Sequence, residues 1–314
     1  MPICRLGGAI VIMLAVWVVS EVPAHGQGAW TPPEKSLTVD FAYQYVPSSS
    51  VVIDPDISVS DRNTQNHIFM LSGVYVPIEK LAVEAGVPFG LFKYTSTAKH
   101  TPPGEWDDGS FHASLTDLRV GARYQVLEEP ILALSPHIGF SIPLMDYEVL
   151  GFATGGRHLK TLHIGASVGR SFDPVLPDLY FTGTYEFSIA ERSDLTSKTD
   201  DIKQRRSDIS AEIGYLFLDG KLNVNLAMNA RFQHGGINFA DFAKFENGMP
   251  VVDPELINNH DPILNEDFWF LGGGVSYEIT DRITAAVIIR RFIRGYNTRD
   301  QDLYGLNITW DAIP

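Results

Sequence analysis

Serine and histidine recur on one side of two neighbouring segments. Ser135, His137 and Ser141 lie in the first and His163 and Ser167 in the second, always an even number of residues apart. A hydroxyl within hydrogen-bond reach of an imidazole is the core of nucleophilic acyl transfer, and a third polar group that orients the base completes it. His234 stands beside Gly235 and Gly236 with no serine close by in sequence. Two acidic stretches could instead offer hard oxygen ligands to Ca²⁺. One holds Asp54, Asp56 and Asp61, and the other Asp241, Glu246, Asp253, Glu255 and Asp261. Neither has the spacing of an EF-hand loop, and solvated acidic loops explain both, so no metal and no cofactor is expected. Thiol chemistry is excluded more firmly. The single cysteine, Cys4, lies in an N-terminal stretch with the layout of a secretory signal: Arg5, an apolar run over 6–20, then small or turn-prone residues. Cleavage between residues 24 and 28 leaves a mature chain with no disulfide and no cysteine-ligated metal. A net charge of -14 argues against nucleic acid as a partner.

The elements that must position these side chains are β-strands. Leu222, Val224, Leu226, Met228, Ala230 and Phe232 alternate with Asn223, Asn225, Ala227, Asn229, Arg231 and Gln233. That is period two, where a helix would return apolar residues at three and four. Twelve runs of this kind span 36–48, 66–78, 81–95, 112–127, 131–147, 158–172, 179–194, 205–218, 221–237, 266–279, 282–296 and 302–311. Strands of soluble proteins average ~5–6 residues, whereas a tilted strand crossing a bilayer needs ~9–11. Connections after odd-numbered strands are long or polar (49–65, 96–111, 148–157, 195–204, 238–265, 297–301). Those after even-numbered strands are mostly tight, as at Glu79-Lys80, Asp219-Gly220 and Thr280-Asp281. Short periplasmic turns and long external loops are the pattern of outer-membrane barrels. The spacing therefore predicts an all-β fold: a transmembrane antiparallel up-and-down barrel of about twelve strands over 36–311. A short periplasmic segment, 29–35, precedes it with no room for a plug domain, and a tail, 312–314, follows. The expected surroundings are Gram-negative outer-membrane lipid and lipopolysaccharide, reached through the barrel assembly machinery. Aromatic residues near the strand ends fit interfacial girdles.

Alternation also assigns faces. A charge facing lipid at mid-membrane costs ~2–4 kcal/mol, so the polar member of each pair points inward. The candidates for the lumen lining are Asp40, Glu84, Asp117, Arg119, Arg123, His137, His163, Glu186, Asp208, Glu212, Arg231, Glu278 and Arg290. Centring each hairpin on its connection places Glu84 near Arg123, Asp208 opposite Arg231, and Glu186 near Glu212, the last as two facing carboxylates. Inward glycines such as Gly86, Gly121, Gly165 and Gly214 either leave lumen space or ease strand bending. Eight-stranded barrels are filled by their own side chains, and sixteen to eighteen strands hold an aqueous channel. Twelve implies a narrow lumen.

Residues 115–127 read Leu-Thr-Asp-Leu-Arg-Val-Gly-Ala-Arg-Tyr-Gln-Val-Leu and lead through an acidic-Pro turn to Leu-Ser-Pro-His-Ile-Gly-Phe at 134–140. This hairpin resembles the family of outer-membrane proteins associated with the meta-pathway of phenol degradation. There, an Asp-Leu-x-hydrophobic-Gly-x-Arg/Lys-Tyr strand precedes a glycine-bearing partner. The resemblance implies an outer-membrane channel or transporter passing small aromatic or hydrophobic molecules by passive diffusion. Two other readings stand beside it. One is a closed, structural barrel. The other is a barrel-type phospholipase, which would need its Ser, His and Asn on the lipid-facing wall, where the sequence places no such set. No catalytic residue is expected.

Overall fold

The computed structural model describes residues 28–97, 104–129, 132–193, 202–238, 243–246, 249–252 and 259–314. The expected signal segment, most of the 195–204 connection and parts of the 96–111 and 238–265 connections lie outside the described residues.

Twelve long strands form the wall: β1 (Leu37–Asp54), β2 (Ile57–Ile78), β3 (Leu81–Tyr94), β4 (Asp117–Tyr124), β5 (Leu132–Pro143), β6 (Thr161–Ser171), β7 (Leu179–Ala190), β8 (Arg205–Phe217), β9 (Leu222–Gln233), β10 (Asp267–Thr280), β11 (Ile283–Tyr296) and β12 (Leu303–Ile313). Short pieces at His112–Leu115 and Leu127–Glu129 extend the β4 wall at either end. Each strand pairs antiparallel with its sequence neighbours. The sheet closes on itself because β1 pairs on both sides: Val39 faces Gly73 of β2 and Trp310 of β12. Closure satisfies every ladder without an edge, which hydrocarbon surroundings require. The exterior is apolar all round. Phe41, Leu71, Phe140, Ile213, Leu226 and Ile308, each on a different strand, are all more than 40% exposed. A soluble monomer rarely shows contiguous apolar surface beyond a few hundred Å², so this girdle is a lipid contact.

The even-numbered connections turn tightly. Between β8 and β9, Leu218, Asp219 and Gly220 have φ of 54°, 56° and 87°, the left-handed backbone a primed hairpin turn needs and glycine adopts without strain.

Four expectations about the ends are corrected. The span 49–65 is not a loop: β1 and β2 run on to a turn at Pro55-Asp56, with Ser50 facing Ser60 and Val52 facing Ser58. Above the bilayer both faces of a hairpin meet water, so apolar alternation stops while the ladder continues. The span 297–301 is partly strand as well, Thr298 and Arg299 pairing with Val52 and Val51. The tail 312–314 is largely strand, with Ile313 opposite Leu37. The segment 29–35 does not hang free in the periplasm but enters the barrel. Ala29 is fully buried, its carbonyl accepts from Ser135 Oγ at 2.6 Å, and Gln125 Oε1 accepts from the Thr31 amide at 2.7 Å. Trp30 lies against Gly169, leaving no room there for a Cβ.

Candidate functional site

The barrel encloses a cavity of about 360 Å³. Twelve of the thirteen inward candidates line it: Asp40, Glu84, Asp117, Arg119, Arg123, His137, His163, Glu186, Asp208, Glu212, Arg231 and Arg290. Glu278 does not. It sits at the periplasmic rim in a separate depression with Trp30, Asp178 and Tyr180, because its position near the end of β10 is below the cavity floor.

Glu186 is the centre of the lumen. Its carboxylate accepts from Arg119 Nη2 at 2.5 Å and contacts His137 Nε2 at 3.2 Å and His163 Nδ1 at 2.8 Å. The far side of the His163 ring meets Ser141 Oγ at 2.8 Å. Four strands, β4 to β7, thus converge on one carboxylate. Gly165 makes this possible: a Cβ there would lie 2.6 Å from His137 Nε2 and 2.2 Å from the Tyr185 carbonyl. The inward glycine therefore neither empties the lumen nor merely eases bending; it seats an imidazole flat on the wall. Gly214 does the same for Tyr180, whose hydroxyl donates to Glu212 at 2.6 Å and accepts from Asn223.

Two of the expected pairs are present. Arg231 Nε donates to Asp208 at 2.6 Å, in direct register, and Arg123 lies 3.8 Å from Glu84 on a diagonal. The pairing of Glu186 with Glu212 is overturned. Glu186 faces Asp208, and Glu212 faces Thr182. The pairing is displaced by four residues from the expected one because β7 ends at Ala190 rather than at 194. An even offset keeps every side chain on its face while changing its partner.

Ser141, His163 and Glu186 stand in the order of a nucleophile, base and orienting acid. The chemistry stops there. Arg119 and His137 already hold the carboxylate, Ser188 Oγ also meets His163 Nδ1 at 2.9 Å, and strand amides engaged in the ladder cannot converge on an oxyanion. Among the described residues no group of three or more His, Cys, Asp or Glu could hold a metal ion.

The extracellular side is covered by folded-in segments. Asp107 accepts from the Phe152 and Ala153 amides, Asp261 accepts from Gly151 N at 3.0 Å, and Arg299 donates to the Phe152 carbonyl at 2.9 Å. Phe152 stacks on Tyr94 with centroids 4.2 Å apart. Tyr147 reaches down to Asp117 at 2.5 Å. Burial holds the Asp261 carboxyl well above the usual carboxylate range; Gly151 N and Arg299 pull it down, and Asp107 and Glu148 push it up. His260 Nε2 is 3.2 Å away. A carboxyl whose pKa is raised in the packed cap binds its proton more tightly there. The packed cap is thus favoured in acid and loses that contribution as pH rises through the raised value. Exchange of the Gly151 and Phe152 amides should therefore accelerate beyond the intrinsic rate as pH rises through the raised Asp261 value, and Asp261→Asn should flatten that excess. A pH-independent excess in the wild type would contradict it.

No family model and no curated protein matches the chain. Among solved structures, it is similar to an outer membrane channel from Pseudomonas putida F1, with a TM-score of 0.65 at 12% identity over 91% of this chain and 98% of that one. The fold is that of an outer-membrane β-barrel. A second match, the translocator domain of autotransporter NalP from Neisseria meningitidis, has a TM-score of 0.51 at 10% identity and covers 91% of each chain. The fold is thus common to barrels of different use, and function has to be read from the lumen.

Several lumen residues were not picked out in the sequence. Arg206 shares the parity of Asp208 and could have been found by it. Arg157 sits in a segment with no alternation. It donates to Gln233 Oε1 at 2.8 Å and to Glu266 Oε2 at 3.3 Å. Phe268 and Phe270 face inward although apolar. They pack with Val46, Ile68, Leu264, Ile288 and Leu303 into a core that fills one side of the barrel.

Proposed function

We propose that this chain is a passive channel of the Gram-negative outer membrane for small molecules, aromatic ones among them, and a relative of the phenol meta-pathway outer-membrane proteins. The observation that carries this reading is the cavity inside the closed barrel, walled by opposed arginines and carboxylates rather than by a continuous apolar filling. Charges that compensate one another across strands keep a lumen wet without closing it with bulk. The hairpin at 115–140 supports the family, and the fold supports the location. Lipid and lipopolysaccharide contact the exterior, and assembly machinery inserts it. No catalytic role is assigned.

A closed barrel is the second reading, favoured by the N-terminal segment beneath the cavity and the packed loops above it. Planar-bilayer recording of the refolded chain separates the two. Discrete current steps are expected; a correctly folded, heat-modifiable protein that stays silent at high concentration would reject the channel.

A further inference from the structure

Near the extracellular end of the cavity three guanidinium groups meet two carboxylates. Arg231 pairs with Asp208 at 2.6 Å, Arg206 Nε lies 3.4 Å from the same Asp208, and Arg157 reaches Glu266 at 3.3 Å. Of these three contacts that of Arg206 is the longest. Arg206 Nε is buried and makes no hydrogen bond, although its side chain borders the cavity. A guanidinium carries five donors in a planar fork that matches a carboxylate, and this one stands without a bidentate partner. Opposite charge alone would suit any small anion. The neighbouring wall narrows the choice. Phe268, 3% exposed, also lines the cavity, with the Arg231 guanidinium 5.1 Å from its ring centroid. Met70 and Leu159 add apolar surface to the same lining.

We propose that this layer is a binding site for a small aromatic carboxylate, its carboxylate held by Arg206 beside Arg157 and Arg231 and its ring against Phe268. The proposal rests on the channel reading and names the solute class of that channel. It sets aryl carboxylates above neutral aromatics such as phenols. A neutral ring here would leave Arg206 Nε without an acceptor, whereas a carboxylate supplies one. The cavity, at about 360 Å³, admits a single-ring acid.

The test uses the purified full chain and benzoate, with benzyl alcohol as the neutral isostere and acetate as the ringless acid. Calorimetry in detergent and current recording in bilayers are run in parallel. Benzoate should bind and interrupt the current, and benzyl alcohol should do neither. Arg206→Gln should weaken benzoate about tenfold, the scale of one charge-assisted hydrogen bond. Arg294→Gln, at an exposed arginine remote from the cavity, should leave it unchanged. Should Arg206→Gln misfold, Phe268→Leu is the second variant, expected to weaken benzoate but not acetate. Equal binding of benzoate and benzyl alcohol, or unchanged affinity in Arg206→Gln, overturns the site. Currents with no benzoate effect reject the site and keep the channel; benzoate binding without currents rejects the channel and keeps the site.

Discussion

Removing residues 28–34 is expected to raise single-channel conductance several-fold while leaving the barrel assembled. The segment is held by the Ser135 hydroxyl on the Ala29 carbonyl, by Gln125 on the Thr31 amide and by Trp30 against Gly169. None of these contacts belongs to the strand ladder, which on β1 begins at Leu37. Gly28 itself borders the cavity, so the segment forms part of its periplasmic floor. Taking it away exposes the lumen from below at little cost to the wall. Trp30→Ala should give a smaller rise, since the backbone of the segment would remain. Bilayer recording of both variants against the wild type reads the effect directly. Unchanged conductance in the deletion would mean that the limiting constriction lies among the extracellular segments instead.

The second large effect is on stability. Glu186→Ala should destabilise the barrel by about 3 kcal/mol, the lower end of what breaking a buried ion pair costs. Its carboxylate is the shared acceptor of Arg119, His137 and His163, and the residue is only 8% exposed. Without it, the Arg119 guanidinium loses this counter-charge, two imidazoles lose a hydrogen-bond partner, and four strands lose their common contact. Ser141→Ala, which removes only the hydroxyl against His163, should cost about 1 kcal/mol. Urea unfolding from lipid vesicles, followed by tryptophan fluorescence, measures both. A Glu186→Ala value within about 0.5 kcal/mol of wild type would show that lumen water solvates the Arg119 guanidinium well enough to replace the carboxylate.

Period-two alternation carried a great deal, and its errors are instructive. It placed twelve strands and put Asp208 against Arg231 because the Asp219-Gly220 turn is tight and leaves the register no freedom. The longer connection between β7 and β8 leaves the register open by even steps. Glu186 was accordingly assigned to the right face and the wrong partner. Alternation also misread the hairpin of β1 and β2 beyond residue 48, where neither face meets lipid and polarity no longer reports pairing. Phe268 and Phe270 defeated it differently: they face inward yet are apolar, because one side of this lumen is a packed core.

What the sequence determined by itself is the wall: strand number, tilt-compatible length, and the inward face of the charged side chains. Lipid imposes that pattern residue by residue, so it is legible locally. The contents of the lumen were decided only in the tertiary structure. Glu186 among four strands, Arg157 against Glu266, Trp30 against Gly169 and Phe152 against Tyr94 join residues that lie tens of positions or more apart along the chain. Their meeting depends on how the barrel closes and how its loops fold back, and no local spacing encodes either.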